Sequence, residues 1–249
     1  MNPIERRKKI YDFIKNMGKT ENSILPEKFG VTEMTIRRDL DKLEDAGLIK
    51  RTYGKSKIIN EVKSPLLFAS RENENQSAKQ KIARKALPLL EGVNSVYLDE
   101  GTTCYELVKI LPAKPLIVFT NNISSILILR QIPNIKTFVI GGFLADDANT
   151  TDGETAINTA KNIFVDLAFI SCSGFSTKGV VNDGVIGSQV KKIIIENSMK
   201  TCLLADKSKF NRRGLFLLGN WNKINAFITN EDLPENDTEI IRNFGVNII

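Results

Sequence analysis

Two sets of residues in this 249-residue sequence have types and spacings that could do chemistry. In the first, Thr32, Thr35, Arg37 and Arg38 fall within seven positions, and Arg51 and Lys55 follow. Hydroxyls and guanidinium groups at the start of a helix suit a DNA duplex. The major groove admits one α-helix, residues near its N-terminal end reach base edges, and cations neutralise phosphates. In the second set, small, polar or glycine-rich runs recur. They are Asp99-Glu100-Gly101-Thr102-Thr103, Thr120-Asn121-Asn122, Gly141-Gly142, Ser171-Cys172-Ser173-Gly174 and Asp206-Lys207-Ser208-Lys209. Gly101 lets the backbone approach a ligand closely, and Thr102 and Thr103 stand where a helix begins, so free amides there attract an anion. Lys209 could supply a countercharge, and Asp99 could accept sugar hydroxyls.

These residues need elements to position them. Ile10, Phe13, Ile14 and Met17 recur at helical spacing and predict one face of a helix ending at Gly18. A short helix from Ser23 to Phe29 is stopped by Gly30, and a third opens at Thr32, a suitable N-cap. On that third helix Ile36, Leu40, Leu43 and Gly47 share the inward face, which leaves Thr35, Arg37, Arg38 and Asp41 pointing elsewhere. Strand-like runs at 48–52 and 57–59 flank Tyr53-Gly54-Lys55-Ser56, giving a basic hairpin. Residues 1–59 therefore predict a winged helix-turn-helix domain. Residues 60–76 lose the apolar pattern and predict a linker. Residues 77–249 alternate apolar strands (95–98, 116–119, 136–140, 167–170, 201–204, 226–229) with helices near 103–111, 123–131, 154–163 and 189–199. Such alternation predicts an α/β domain with a mostly parallel sheet covered on both faces. Each of the polar runs then falls at a strand's carboxyl end, on the one rim where open parallel sheets bind ligands.

Composition narrows the function. Histidine is absent, which excludes Ser-His-Asp triads and imidazole-ligated zinc, and the three cysteines are too far apart for a metal site or disulfide framework. No resident cofactor or metal is expected. No run approaches the ~20 apolar residues of a membrane helix, and the N-terminus lacks the apolar core of a signal peptide, so a cytoplasmic location is expected. Residues 1–57 hold 14 Lys or Arg against 9 Asp or Glu, nearly all of the chain's net charge of +6. That concentration points the first domain at a polyanion.

Arg6-x3-Ile10-x3-Ile14, followed by Thr32-Glu33-Met34-Thr35-Ile36-Arg37-Arg38-Asp39-Leu40, resembles the helix-turn-helix signature of DeoR-family bacterial transcriptional regulators. The wing departs from that family's pattern, with Tyr53 and Lys55 standing where a His and a Gly are usual. The later half is similar to the family's effector domain in D-x-GTT at 99–103, Thr120-Asn121, Gly141-Gly142, Gly153, D-x-AF at 166–169 and D-x-S-K-F at 206–210. The resemblance implies sequence-specific binding of double-stranded operator DNA by Thr35, Arg37 and Arg38. It also implies an effector domain similar to ribose phosphate isomerase that senses phosphorylated sugars, with a homo-oligomer, dimer or tetramer, as the working form. A repressor of a carbohydrate-metabolism operon is the expected function. The alternative is a sugar-phosphate isomerase-like enzyme with an accessory DNA-binding module, for which Asp99, Asp166, Asp183 and Lys191 could supply acid–base groups. A DNA-binding architectural protein without an effector is a third possibility.

Overall fold

The computed structural model describes residues 3–45, 49–58, 67–145, 149–183 and 187–249, in two compact units, 1–67 and 68–249. The first contains α1 (Pro3–Met17), β1 (Lys19–Glu21), α2 (Leu25–Phe29), α3 (Glu33–Asp45), β2 (Ile49–Thr52) and β3 (Lys55–Ile58). Its core joins Ile10, Ile14, Leu25, Ile36, Leu40, Leu43 and Ile49, the helical spacings read from the sequence. Met17 departs from expectation: it is the last residue of α1 and points outward, 59% exposed, because the chain turns away at Gly18. The expected inward Gly47, and the strand ends at Leu48 and Ile59, lie outside the described residues.

Two turns give this unit its shape. Gly30 closes α2 in the left-handed region (φ 62°, ψ 40°), its amide donating to the Glu27 carbonyl while Val31 donates to Pro26. A glycine takes that conformation without a Cβ clash, so the tight turn into α3 is encoded by one residue. In the wing, Thr52 pairs with Lys55, leaving Tyr53 and Gly54 as a two-residue turn with φ 43° and 74°. Two positive φ values make it a primed turn, whose twist matches its strands. The wing also gains a strand unforeseen from sequence, since β1 pairs antiparallel with β3.

The second unit begins with α4 (Leu67–Asn73), α5 (Gln76–Ala86), β4 (Ser95–Leu98), α6 (Thr102–Lys109), β5 (Leu116–Thr120), α7 (Ile123–Leu129) and β6 (Ile135–Val139). It continues with β7 (Phe143–Leu144), β8 (Thr151–Asp152), α8 (Glu154–Ala160), β9 (Val165–Ile170), β10 (Gly174–Ser176), β11 (Gly179–Asn182) and α9 (Ser188–Glu196). β12 (Ser198–Leu204), β13 (Phe216–Gly219), β14 (Ala226–Ile228), α10 (Glu235–Arg242) and β15 (Asn247–Ile248) complete it. Part of the span read as a linker is helical: α4 and the first residue of α5 fall within 60–76. Phe68 is 6% exposed and packs edge-on against Tyr105 at 5.4 Å, an apolar anchor within an otherwise polar run.

Seven strands form one sheet in the order β15-β14-β12-β9-β4-β5-β6, and every pairing in it is parallel. Alternate residues feed opposite faces, as strand geometry requires. Leu167 and Phe169 join a core with α5, α6 and α7, while Ala168 and Ile170 join one with α8, α9 and α10. The sequence reading named six of these strands and missed β15. It also missed the antiparallel β10-β11-β13 sheet and the β7-β8 pair, whose strands are only two to four residues long. From β4 the chain steps outward to β5 and β6, then returns to β9 on β4's other side and proceeds the opposite way. The crevice between the carboxyl ends of β4 and β9 is thus the topological switch point, where open α/β sheets take ligands.

Candidate functional site

In the first unit, the Thr32 hydroxyl accepts the Thr35 amide at 3.3 Å and sits 3.0 Å from the Thr35 hydroxyl, so it caps α3. Arg37 and Arg38 on the next turn are exposed, as is Met34 beside them. Asp39 turns the other way: it is 3% exposed and receives Arg6 Nε at 2.6 Å and Arg7 Nη1 at 3.4 Å. The Arg-Arg-Asp run is therefore divided, two cations facing solvent and one carboxylate bolting α1 to α3. Sequence reading noted Arg6 and Asp39 but not that they meet. Arg51 and Lys55 are not free cations, since Arg51 pairs with Asp41 and Lys55 with Glu21 at 2.8 Å. Both pairs are at least partly exposed, worth little, and open to exchange for phosphates.

In the second unit, β4 and β9 deliver the centre of the rim. Asp99 is fully buried, and its Oδ2 accepts the Ser171 amide at 2.8 Å, the Ser171 hydroxyl, and Lys191 Nζ at 2.9 Å. Lys191, 1% exposed on α9, also contacts Glu100 Oε1 at 3.0 Å and donates to the Ser171 carbonyl at 3.2 Å. Burial works to raise the Asp99 carboxyl, but the Lys191 charge and the hydrogen bonds around it win and hold it below the usual carboxylate range. Burial and the Asp99 charge push the Glu100 carboxyl up to about 8. Burial would lower Lys191, yet its two carboxylate neighbours raise it. Gly101 is required here, because a Cβ would strike the Ser171 side chain. Gly101 is also the N-cap of α6, and no side chain caps the helix, so its first-turn amides stay available to an anion. Thr102 and Thr103 are 7% and 6% exposed on that turn.

A second group adjoins the first. Asp206 Oδ1 accepts the Ser208 amide at 3.0 Å and Asn75 Nδ2 at 3.4 Å, and Oδ2 has no donor among the described residues. Lys79, 4% exposed on α5, donates to the Arg71 carbonyl; burial brings its ammonium down to about 8, against the pull of Asp206. Lys209, half-buried, lies within electrostatic reach of Lys79. Asp99 and Asp206 follow β4 and β12, which flank β9 in the parallel sheet, so both groups stand on one rim; burial pushes the Cys172 thiol, just past β9, up to about 12. An open cleft of about 760 Å³ runs past Asp206, Ser208 and the start of α5.

The remaining expected rim residues sit differently. Asn121 is fully buried, accepting the Tyr97 hydroxyl at 3.0 Å and donating to the Thr151 carbonyl at 3.2 Å, so it braces β5. Gly142 passes so close to the Asp152 carbonyl that a side chain would not fit, whereas Gly141 has open space around its Cα. Asp166, named from the sequence only for an enzyme, accepts the Asn94 and Ser95 amides, both at 2.9 Å, at the amino end of the sheet and away from the rim. Sequence reading did not assign Lys79 and Glu100 to the effector site, and named Lys191 only for an enzyme. A lysine on the apolar stripe of α5, and another on that of α9, was the signal available.

A capped helix with outward arginines beside a β wing, followed by a parallel sheet with a polar switch-point rim, defines a helix-turn-helix regulator with a ligand-sensing body. Family models agree in both parts: a DeoR-like helix-turn-helix domain matches residues 6–62, and a DeoR C terminal sensor domain matches residues 74–231. The chain belongs to the DeoR family of transcriptional regulators. It is 32% identical to the uncharacterized HTH-type transcriptional regulator YulB of Bacillus subtilis, covering 92% of this chain and 89% of that protein. It is 31% identical to the L-fucose operon activator of Haemophilus influenzae, covering 91% and 92%. Among solved structures, a D-ribose-5-phosphate isomerase in complex with phospho-erythronic acid shares 14% identity at a TM-score of 0.41, over 54% of each chain. No helix among the described residues is long and apolar enough to cross a membrane.

Proposed function

We propose that the chain is a repressor of a carbohydrate-metabolism operon, binding double-stranded operator DNA through α3 and the wing and released by a phosphorylated sugar. The observation that carries the DNA half is the outward placement of Arg37 and Arg38 on a capped helix whose next residue, Asp39, is anchored inside. The sugar half is supported by the uncapped first turn of α6 beside Asp99, Lys79, Asp206 and Lys209. Gly141 and Gly142 shape the adjoining turn, while Asn121 supports the site from beneath. The working form is a homo-oligomer in the cytoplasm, presenting paired α3 helices to two half-sites. The effector shifts DNA affinity by its differential affinity for the two states.

Fluorescence anisotropy with promoter DNA, with and without phosphorylated sugars, tests this. Specific binding that a phosphosugar weakens supports the reading, and DNA binding indifferent to every phosphorylated sugar would overturn the sensing half. One feature favours an enzymatic reading: the buried Asp99–Lys191 pair beside a readily protonated Glu100 is acid–base equipment. Incubation with pentose and hexose phosphates, followed by product analysis, decides it, and unchanged substrate is the expected result.

A further inference from the structure

We infer that the outer edge of β6, with the apolar side chains beside it, is the surface through which two copies of this chain join their sheets. This rests on the chain working as a homo-oligomer, and it names the contact. β6 is the last strand of the seven-stranded sheet, and among the described residues no strand pairs with its outer side. Leu116 donates to the Asn134 carbonyl and Ile140 to the Thr120 carbonyl, so the even-numbered residues of β6 bond β5. Thr137 and Val139 therefore turn N–H and C=O away from the sheet. An edge of this kind is a template for another strand, and a monomer blunts it with a short strand, a proline, a bulge or charges. β6 runs for five residues with no proline and a single charge, Lys136.

The side chains along this edge are the wrong ones for water. Phe138, Val139, Phe143 and Leu144 are 54, 48, 58 and 56% exposed, four large apolar groups within seven residues. Half-exposed side chains of these sizes leave roughly 350 Å² of apolar surface open. Leu127 on α7, which packs on β6, and Ile117 on β5 extend the patch. One side of a homodimer interface of standard size buries about 800 Å², of which about 500 Å² is apolar, so the patch supplies most of what a stable dimer needs. Phe138 is already stacked on Phe119, with ring centres 5.1 Å apart, so little ordering remains for binding. A second copy is the partner that fits. A two-fold axis sets β6 against itself antiparallel, and the same patch serves both sides. With the axis at Thr137, Lys136 of each copy lies opposite Phe138 of the other. Its stem then covers the ring and its ammonium stays at the rim of the contact, so the edge's one charge is accommodated rather than opposed by its own kind.

Sedimentation equilibrium of the full chain tests this. The outward N–H of Val139 takes no part in the β5–β6 ladder, so Val139→Pro removes a donor used only between copies and leaves the sheet intact. The variant should fall to half the wild-type mass, or self-associate at least tenfold more weakly, while Val139→Ile stays as assembled as the wild type. The Trp221 unfolding transition checks that the second unit is folded. Independently of any variant, amide hydrogen exchange of the wild-type peptide spanning β6 should slow as protein concentration rises through the dissociation midpoint. Assembly indifferent to Val139→Pro, or β6 exchange indifferent to concentration, would overturn the inference and leave the homo-oligomer standing with its contact elsewhere. A wild-type chain that stays monomeric at every concentration removes the homo-oligomer itself, and this contact with it.

Discussion

Replacing Asp39 with alanine should unfold the DNA-binding unit more readily without touching the face that reads DNA. The carboxylate is 4% exposed and receives Arg6, 12% exposed, with Arg7 as a more distant second partner. Removing one member of a buried pair costs about 3–5 kcal/mol, and the water reaching Arg6 and Arg7 reduces that to about 2–3 kcal/mol. A unit of this size has only about 3–10 kcal/mol in hand, so the loss is a large fraction. The chain's single tryptophan, Trp221, is 1% exposed in the second unit, so its fluorescence follows that unit alone. Far-ultraviolet dichroism follows both. In urea, the dichroism phase of the first unit should move down by roughly 1–3 M while the Trp221 transition stays put. Arg37→Ala and Arg38→Ala should show the converse, with unchanged midpoints and DNA binding weaker by about 1–3 kcal/mol where a base is read. An Asp39→Ala variant that lost DNA binding with the first unit's midpoint unmoved would refute the clamp and place Asp39 on the reading face.

Three further outcomes follow from the geometry. Gly30→Ala has open space for its methyl but must adopt φ 62°, so it should cost about 1 kcal/mol in the first unit, read as a lower urea midpoint. Lys191→Met leaves Asp99 and Glu100 facing each other without a cation and should destabilise the second unit by about 3–5 kcal/mol, seen in the Trp221 transition. Glu100, raised to about 8 in the folded chain from an ordinary value of 4.5, binds its proton more tightly when folded. Its contribution to stability is complete below pH 4.5 and fades as pH rises towards 8. Glu100→Gln should flatten the dependence of unfolding free energy on pH across that window.

Much of the architecture was legible because its signals are local. Ile36, Leu40 and Leu43 mark their helix face, and the apolar runs of β4, β9 and β12 read as strands because the sheet is covered on both sides. What escaped was long-range pairing. Arg6 and Asp39 lie 33 positions apart, and Ser171 and Asp99 lie 72 apart, meeting only because the chain reverses direction around β4. Lys191 shares the buried face of α9 with Val190 and Ile194, yet nothing in the local pattern shows which carboxylates its side chain reaches. Asn121 stood correctly at a strand's end but one residue too deep, its amide already engaged by Tyr97 and Thr151. The β10-β11-β13 ribbon left little trace, since three or four residues per strand carry almost no periodicity.

The knot of Asp99, Ser171 and Lys191 fastens two strands from which the sheet grows in opposite directions. On the proposed effector reading, a guest settling there competes with fastenings the protein already makes. Tight internal closure and tight capture of a guest therefore oppose each other. Substitutions that loosen the knot without unravelling it should yield a sensor answering to smaller doses.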